Sequence, residues 1–169
     1  MTTSEAKTNL RPNASPNLVA PGAPATTGPR SLAQAVQTAV RTLDGSMLGA
    51  TTHRDARPAH QPKTLLALLT YCYARQIYGS AEIEEVLRRD ANLRAFCPNE
   101  FPGAPVIRLF RRDNCQPIRL CLASVLCYLA EQKVKQGIVT KVNKAHLAEE
   151  ANRRIIMAMF IDATDLDGN

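Results

Sequence analysis

Arg108, Arg111 and Arg112 fall within five positions of one another in "GAPVIRLFRRDN", residues 103–114. On a helix the spacing i, i+3, i+4 places all three on one side. Guanidinium groups fit phosphate oxygens in a bidentate fork, so such a side suits a polyanion; a solvated charge face has the same composition. The surrounding charge is compatible with both readings and gives the first some weight. Between Phe101 and Lys144 stand eight basic residues, Arg108, Arg111, Arg112, Arg119, Lys133, Lys135, Lys141 and Lys144, against two acids, Asp113 and Glu131. That excess of six equals the whole formal net charge of +6. A localised positive region gains affinity for nucleic acid by releasing the counterions condensed on phosphate.

Other chemistry finds no support in residue types or spacing. His53, His60 and His146 form no HExxH and no Cys/His pair at ligand spacing. The five cysteines, Cys72, Cys97, Cys115, Cys121 and Cys127, never form CxxC, and the last three recur every six residues. That interval spreads them around a helix, which fits reduced cysteines used as small hydrophobes. Phosphate-binding glycine loops and nucleophile elbows are absent, so neither catalytic residue, metal nor cofactor is expected. Asp162, Asp165 and Asp167 in "FIDATDLDGN" read as a solvated carboxyl-terminal segment.

The elements that must position the arginines read as all-α. Apolar residues make up 45% of the 169 positions, but aromatics only 5% and Trp is absent, so Leu, Ala, Ile and Val do the packing. Residues 1–29, with Pro12, Pro16, Pro21, Pro24 and Pro29, have no period and are expected to be a disordered tail. A single helical domain over 30–169 follows. Its first helix, 30–44, opens on a Ser31/Gln34 capping box and carries Leu32, Val36, Ala39, Val40 and Leu43 as its stripe. Residues 45–62 form a connector. A very apolar helix begins at Pro62 and stops at Gly79, and Ser80 caps the next, whose Glu82, Glu84 and Glu85 suit the positive end of the helix dipole. A short helix over 91–97 and a turn lead into the arginine stretch, where Val106 and Phe110 are expected to face the core. Asn114 then caps a long helix with the stripe Ile118, Leu122, Val125, Leu129, closed by Gly137. "GIVTKV" is a weak strand candidate, and 137–169 ends in a helix that aligns Leu147, Ala151 and Ile155. Two short helices, a turn and an arginine-faced third helix follow the order of a helix-turn-helix.

The segment from about 60 to 135 resembles the N-terminal DNA-binding domain of bacterial insertion-sequence transposases of the DDE class. The resemblance rests on Pro62, the "LLALLTYCY" helix (Leu65, Leu66, Leu68, Leu69, Tyr71, Tyr73), Ser80, Ile83, Glu84, Asp90, Arg94, Pro102, Ile107, Phe110, Arg111 and Arg112, in matching order. It implies a helical core over 63–136 that recognises double-stranded DNA, such as the terminal inverted repeats of a mobile element, in the cytoplasm at the nucleoid. Where the family carries Asp-His-x-Thr, this chain has Gly103, Ala104, Pro105 and Val106, so the polar entrance to the recognition segment is missing. The catalytic domain with its three metal-binding carboxylates is not expected in this chain, which reads as a standalone, non-enzymatic domain. The residues expected at DNA are Arg108, Arg111, Arg112, Arg119, Lys133, Lys135, Lys63 and Arg75. The alternative is an interaction module, regulator or remnant that forms a homodimer or joins a full-length transposase through its helices. No run of 18 apolar residues occurs, so no membrane partner is expected.

Overall fold

A computed structural model describes residues 31–49, 61–98 and 101–167. The expected tail, most of the connector, and His53 and His60 lie outside the described residues. Within them the chain forms seven α-helices and no strand, so the weak strand at 137–142 does not form.

Helix α1 (Leu32–Thr42) starts where Ser31 Oγ accepts from the Gln34 N–H at 3.2 Å. It buries Ala35, Val36, Ala39 and Val40. Helix α2 (Pro62–Ala74) is the centre of the fold: all nine residues from Leu65 to Tyr73 are buried. A helix apolar all round has no solvent face to keep, and α1, α5 and α6 pack around it. Replacing Leu66 or Leu69, both fully buried, by Ala is worth about 2–5 kcal/mol.

The end of α2 departs from the sequence expectation. It stops at Ala74, not Gly79, because Gln76 takes a left-handed conformation (φ 63°). Ile77 N–H then bonds Cys72 O at 2.9 Å and Gln76 N–H bonds Tyr73 O at 3.2 Å, the paired closure of a Schellman motif. Gly137 (φ 73°) closes α6 in the same way, through Ile138 N–H to Lys133 O at 2.9 Å.

Helices α3 (Ser80–Arg89), α4 (Ala91–Arg94) and α5 (Ala104–Asp113) follow as three short elements, with α3 packed on both others. Helix α6 (Cys115–Lys135) leaves α5 directly at Asn114 and buries Ile118, Cys121, Leu122, Val125 and Leu126. Helix α7 (Lys144–Asp167), started by Asn143 Oδ1 accepting from the His146 N–H at 3.1 Å, lies along α6 in the most extensive helix contact of the fold. Its inward stripe is Ala151, Ile155 and Ala158, with Leu147 half-buried. Asp162 continues the same stripe and is buried too.

Candidate nucleic-acid interface

Helix α5 buries Ala104, Ile107, Phe110 and Arg111. The inward line is therefore Ala104–Ile107–Arg111 with Phe110 beside it, and Val106 is only partly buried against the core. This rotation, by about one residue from the expected wheel, separates the three arginines. Arg108, half-buried, and Arg112, exposed, lie one turn apart and both reach solvent, whereas Arg111 turns in and is 2% exposed.

Arg111 is therefore not available to a phosphate, contrary to its expected role. Its Nη1 donates to Tyr73 Oη at 3.0 Å and to Tyr78 O at 3.3 Å. Its Nη2 donates to Ser80 Oγ at 2.6 Å and to Asp162 Oδ2. Asp162 in turn accepts from the Ser80 N–H at 2.8 Å and from Ser80 Oγ–H at 2.6 Å. One ion pair thus joins α2, α3, α5 and α7. Burial pushes the Tyr73 phenol well up, with the Arg111 guanidinium partly offsetting it, so Tyr73 stays neutral and can accept that bond.

Asp162 corrects a second expectation: it is a core residue, whereas Asp165 is exposed as expected and the side chain of Asp167 lies outside the described residues. Asp162 also takes over the capping expected of Ser80. Gly79 is the actual cap position and has no side chain to offer, so the first N–H of α3 is satisfied from 82 residues away. A similar substitution holds at α5. Gly103 is the cap residue, and Glu84 Oε2 of α3 accepts from the Ala104 N–H at 2.7 Å. Glu84 thus serves the amino end of α5 as well as pairing with Arg88 along α3. A carboxylate already seated there repels phosphate, so the amino end of α5 is not an anion site. Asn114 likewise makes no capping bond. Its Oδ1 accepts from the Gly49 N–H at 2.9 Å and its Nδ2 donates to Phe110 O at 3.0 Å.

The remaining expected residues divide into separate places. Arg112 is 68% exposed and pairs with Asp113 at 2.9 Å, while Arg119, in the second turn of α6, pairs with Gln116. Arg108 and Arg112 lie in the last two turns of α5 and Arg119 in the second turn of α6, on either side of the corner at Asn114. Lys133 and Lys135 sit at the far end of α6, fourteen or more residues on, or about 20 Å along the axis. There Lys133 joins Lys141, His146 and Arg154 around a cavity of about 790 Å³ floored by Leu126 and Leu129. Arg75 ends α2 beside that cavity, bound to Asp90 at 3.0 Å and stacked over Tyr71 at 5.6 Å. Lys63 is exposed in the first turn of α2. Among the described residues no group of three His, Cys, Asp or Glu converges on a metal-sized site.

The sequence does not reveal the work of two residues, Arg154 and Asp162. Arg154 donates to Tyr73 O at 2.8 Å and Ala74 O at 3.2 Å, covering the carbonyls at the end of α2 while holding Glu150 at 2.8 Å. Asp162 reads from sequence as solvated although it stands in register with Leu147, Ala151, Ile155 and Ala158. An acid on an apolar stripe is a signal for a buried partner.

The helices that end at this arginine corner belong to a known class. Residues 29–113, half of the chain, match the model of a family described as Transposase domain (DUF772). The chain belongs to that family. The matched span begins just before α1 and finishes on the last residue of α5, earlier at both ends than the 60–135 resemblance. No curated protein and no solved structure matches the chain. Among the described residues no helix is long and apolar enough to cross a membrane.

Proposed function

We propose that this transposase-related chain binds double-stranded DNA of a mobile element through the corner between α5 and α6, with Arg108, Arg112 and Arg119 on phosphate. The observation that carries the reading is the pair Arg108 and Arg112, one turn apart and open to solvent on the last helix of the transposase domain. The surface partners that Arg112 and Arg119 hold, Asp113 and Gln116, are weak enough for a phosphate to displace. Lys133, Lys135 and Arg75 extend positive potential toward the other end of α6, and Lys63 stands apart at the start of α2. With the amino end of α5 closed by Glu84 and its first residues apolar, the arginines grip backbone more than they read bases. The role is one of binding, and strand transfer is not assigned to it. In this reading α3, α4 and α5 act as the helix-turn-helix-like segment.

The test is anisotropy titration of an element-end duplex and a scrambled duplex across a salt series. Three phosphate contacts predict a slope of log K against log salt near about −2.7, and each Arg→Ala change at 108, 112 or 119 removes roughly 0.9 of it on both duplexes. A flat salt response, or an Arg108/Arg112/Arg119→Ala triple variant that binds like the parent, refutes the interface.

A second reading, association of the chain with a second copy, is favoured by the outer side of α7. Ile156, Met157, Met159 and Phe160 are all exposed there, Ile156 and Phe160 one turn apart, and contiguous apolar faces are normally covered. Glu149 and Arg153, both exposed at the amino end of that side, offset each other. Two copies of a chain with net charge +6 repel each other least where the surface is locally neutral and apolar. Sedimentation equilibrium of the parent and of Phe160→Glu tests this reading. A parent monomeric at every concentration, or a dimer indifferent to the change, removes it.

A further inference from the structure

The end of the molecule opposite to the arginine corner is built around a gap. Helices α6 and α7 run alongside each other and are joined by residues 136–143, which leave α6 through the left-handed Gly137. Ile138 N–H bonds back to Lys133 O at 2.9 Å, and the connection then runs to Asn143, which starts α7. The space left beneath it is the cavity of about 790 Å³, within the range of roughly 300–1,000 Å³ of pockets that hold small molecules.

Its lining has two parts. Leu126, Leu129 and Leu147 come from the helices, and Val139 and Val142 from the connection, so the interior is apolar on both sides. Val139 is 40% exposed, which means that this apolar surface faces solvent and not a filled core. Around it stand Lys133, Lys141, His146 and Arg154. Glu150 is the one acid in the lining, and its charge is already met by Arg153 at 2.9 Å and Arg154 at 2.8 Å. Lys133 and Lys141 are exposed and have no ion-pair partner among the described residues. An apolar interior with two uncompensated ammonium groups at its rim complements a ligand with an apolar body and an anionic head.

We propose that this cavity binds a small organic anion, its apolar body against Leu126, Leu129, Val139 and Val142 and its carboxylate, sulfonate or phosphate on Lys133 and Lys141. Binding ties the connection to the two helices it joins. The site lies about 20 Å along α6 from Arg119; Lys133 also extends the positive potential of the proposed DNA interface, but the proposal does not rest on that reading.

The probe is anilinonaphthalene sulfonate, an apolar double ring with one anionic group, titrated into the folded full chain and followed by fluorescence. Uncharged phenylnaphthylamine, of nearly the same shape, serves as the companion probe. The sulfonate dye binds saturably at one site per chain. Lys133→Glu/Lys141→Glu raises its dissociation constant by at least about tenfold, the equivalent of one charge-assisted hydrogen bond, and leaves the neutral dye within about threefold of the parent. Val142→Asp weakens both dyes, with circular dichroism and Tm at parent values because Val142 lies in the connection and not in a helix. Phe160→Ser, on the exposed side of α7, changes neither. The absence of saturable binding overturns the proposal, and so does a dye indifferent to the lysine pair. Loss of binding in Phe160→Ser assigns the dye to α7 and overturns it as well.

Discussion

Replacing Arg111 by Met separates a structural arginine from a DNA-binding one. The guanidinium is 2% exposed and donates to Tyr73, Tyr78, Ser80 and Asp162. Its removal leaves the Asp162 carboxylate buried, still held by the Ser80 N–H and hydroxyl, so the cost falls near the lower end of the roughly 3–5 kcal/mol typical of a broken buried pair. Asp162→Leu belongs at the upper end. It strands a cation in the core and also deprives α3 of its cap, itself worth about 1 kcal/mol. The double variant Arg111→Met/Asp162→Leu buries no charge and loses only neutral hydrogen bonds, at roughly 1–3 kcal/mol for groups left unmatched. With the singles at about 3 and 5 kcal/mol and the double at roughly 1–3, the double costs about 5–7 kcal/mol less than the sum of the singles. Urea unfolding followed by circular dichroism measures it, with m unchanged as the check that only stability moved. Titration of DNA by folded Arg111→Met protein supplies the complementary readout, and its salt slope equals the parent's. If Arg111→Met leaves stability within about 0.5 kcal/mol of the parent and lowers the salt slope by roughly one, the arginine is on DNA and the burial argument fails.

Two further outcomes follow from local geometry. Gln76→Gly relieves a left-handed backbone that costs a side-chain-bearing residue about 1–2 kcal/mol, partly offset by the added freedom of the unfolded chain, and raises the urea midpoint; a lowered midpoint contradicts it. Stability also falls in acid. The Arg154 side chain, and after it the charges of Arg154 and Arg153, hold the Glu150 carboxyl below its ordinary range, and the Asn92 N–H together with Arg75 does the same for Asp90. Because both folded values are lowered, their contribution is complete above the unfolded values near about 4 and disappears as pH falls through the folded ones. Glu150→Gln accordingly lowers the urea midpoint at neutral pH, and the gap to the parent closes as pH falls through the folded value of Glu150; parallel curves for the two proteins contradict the assignment.

Much of the fold is legible along the chain because its causes are local. The Ser31 cap, the inward stripes of α1 and α6, Pro62 at the start of α2 and Gly137 after α6 each depend on residues within a turn or two, where spacing alone determines what meets what. The all-α class follows from the same periodicities, and the transposase relationship from motifs in order. The localised positive charge is likewise a property of the linear sequence.

What resists that reading is whatever depends on a distant partner. Arg108, Arg111 and Arg112 are equivalent on an isolated helix. Arg111 turns inward because Asp162, fifty-one residues later, arrives beside it on α7. The same carboxylate caps α3, and Glu84 caps α5, because Gly79 and Gly103 cannot cap their own helices. Gln76 ends α2 in a conformation that no composition rule favours, held by the Schellman closure and followed by the Arg154 bonds to the last carbonyls. Local spacing tells which side chains lie on one face of a helix. Only the packed helices decide which face meets the core, since that depends on the free energy of burying each charge, and a charge is buried where its partner has been brought within hydrogen-bond reach.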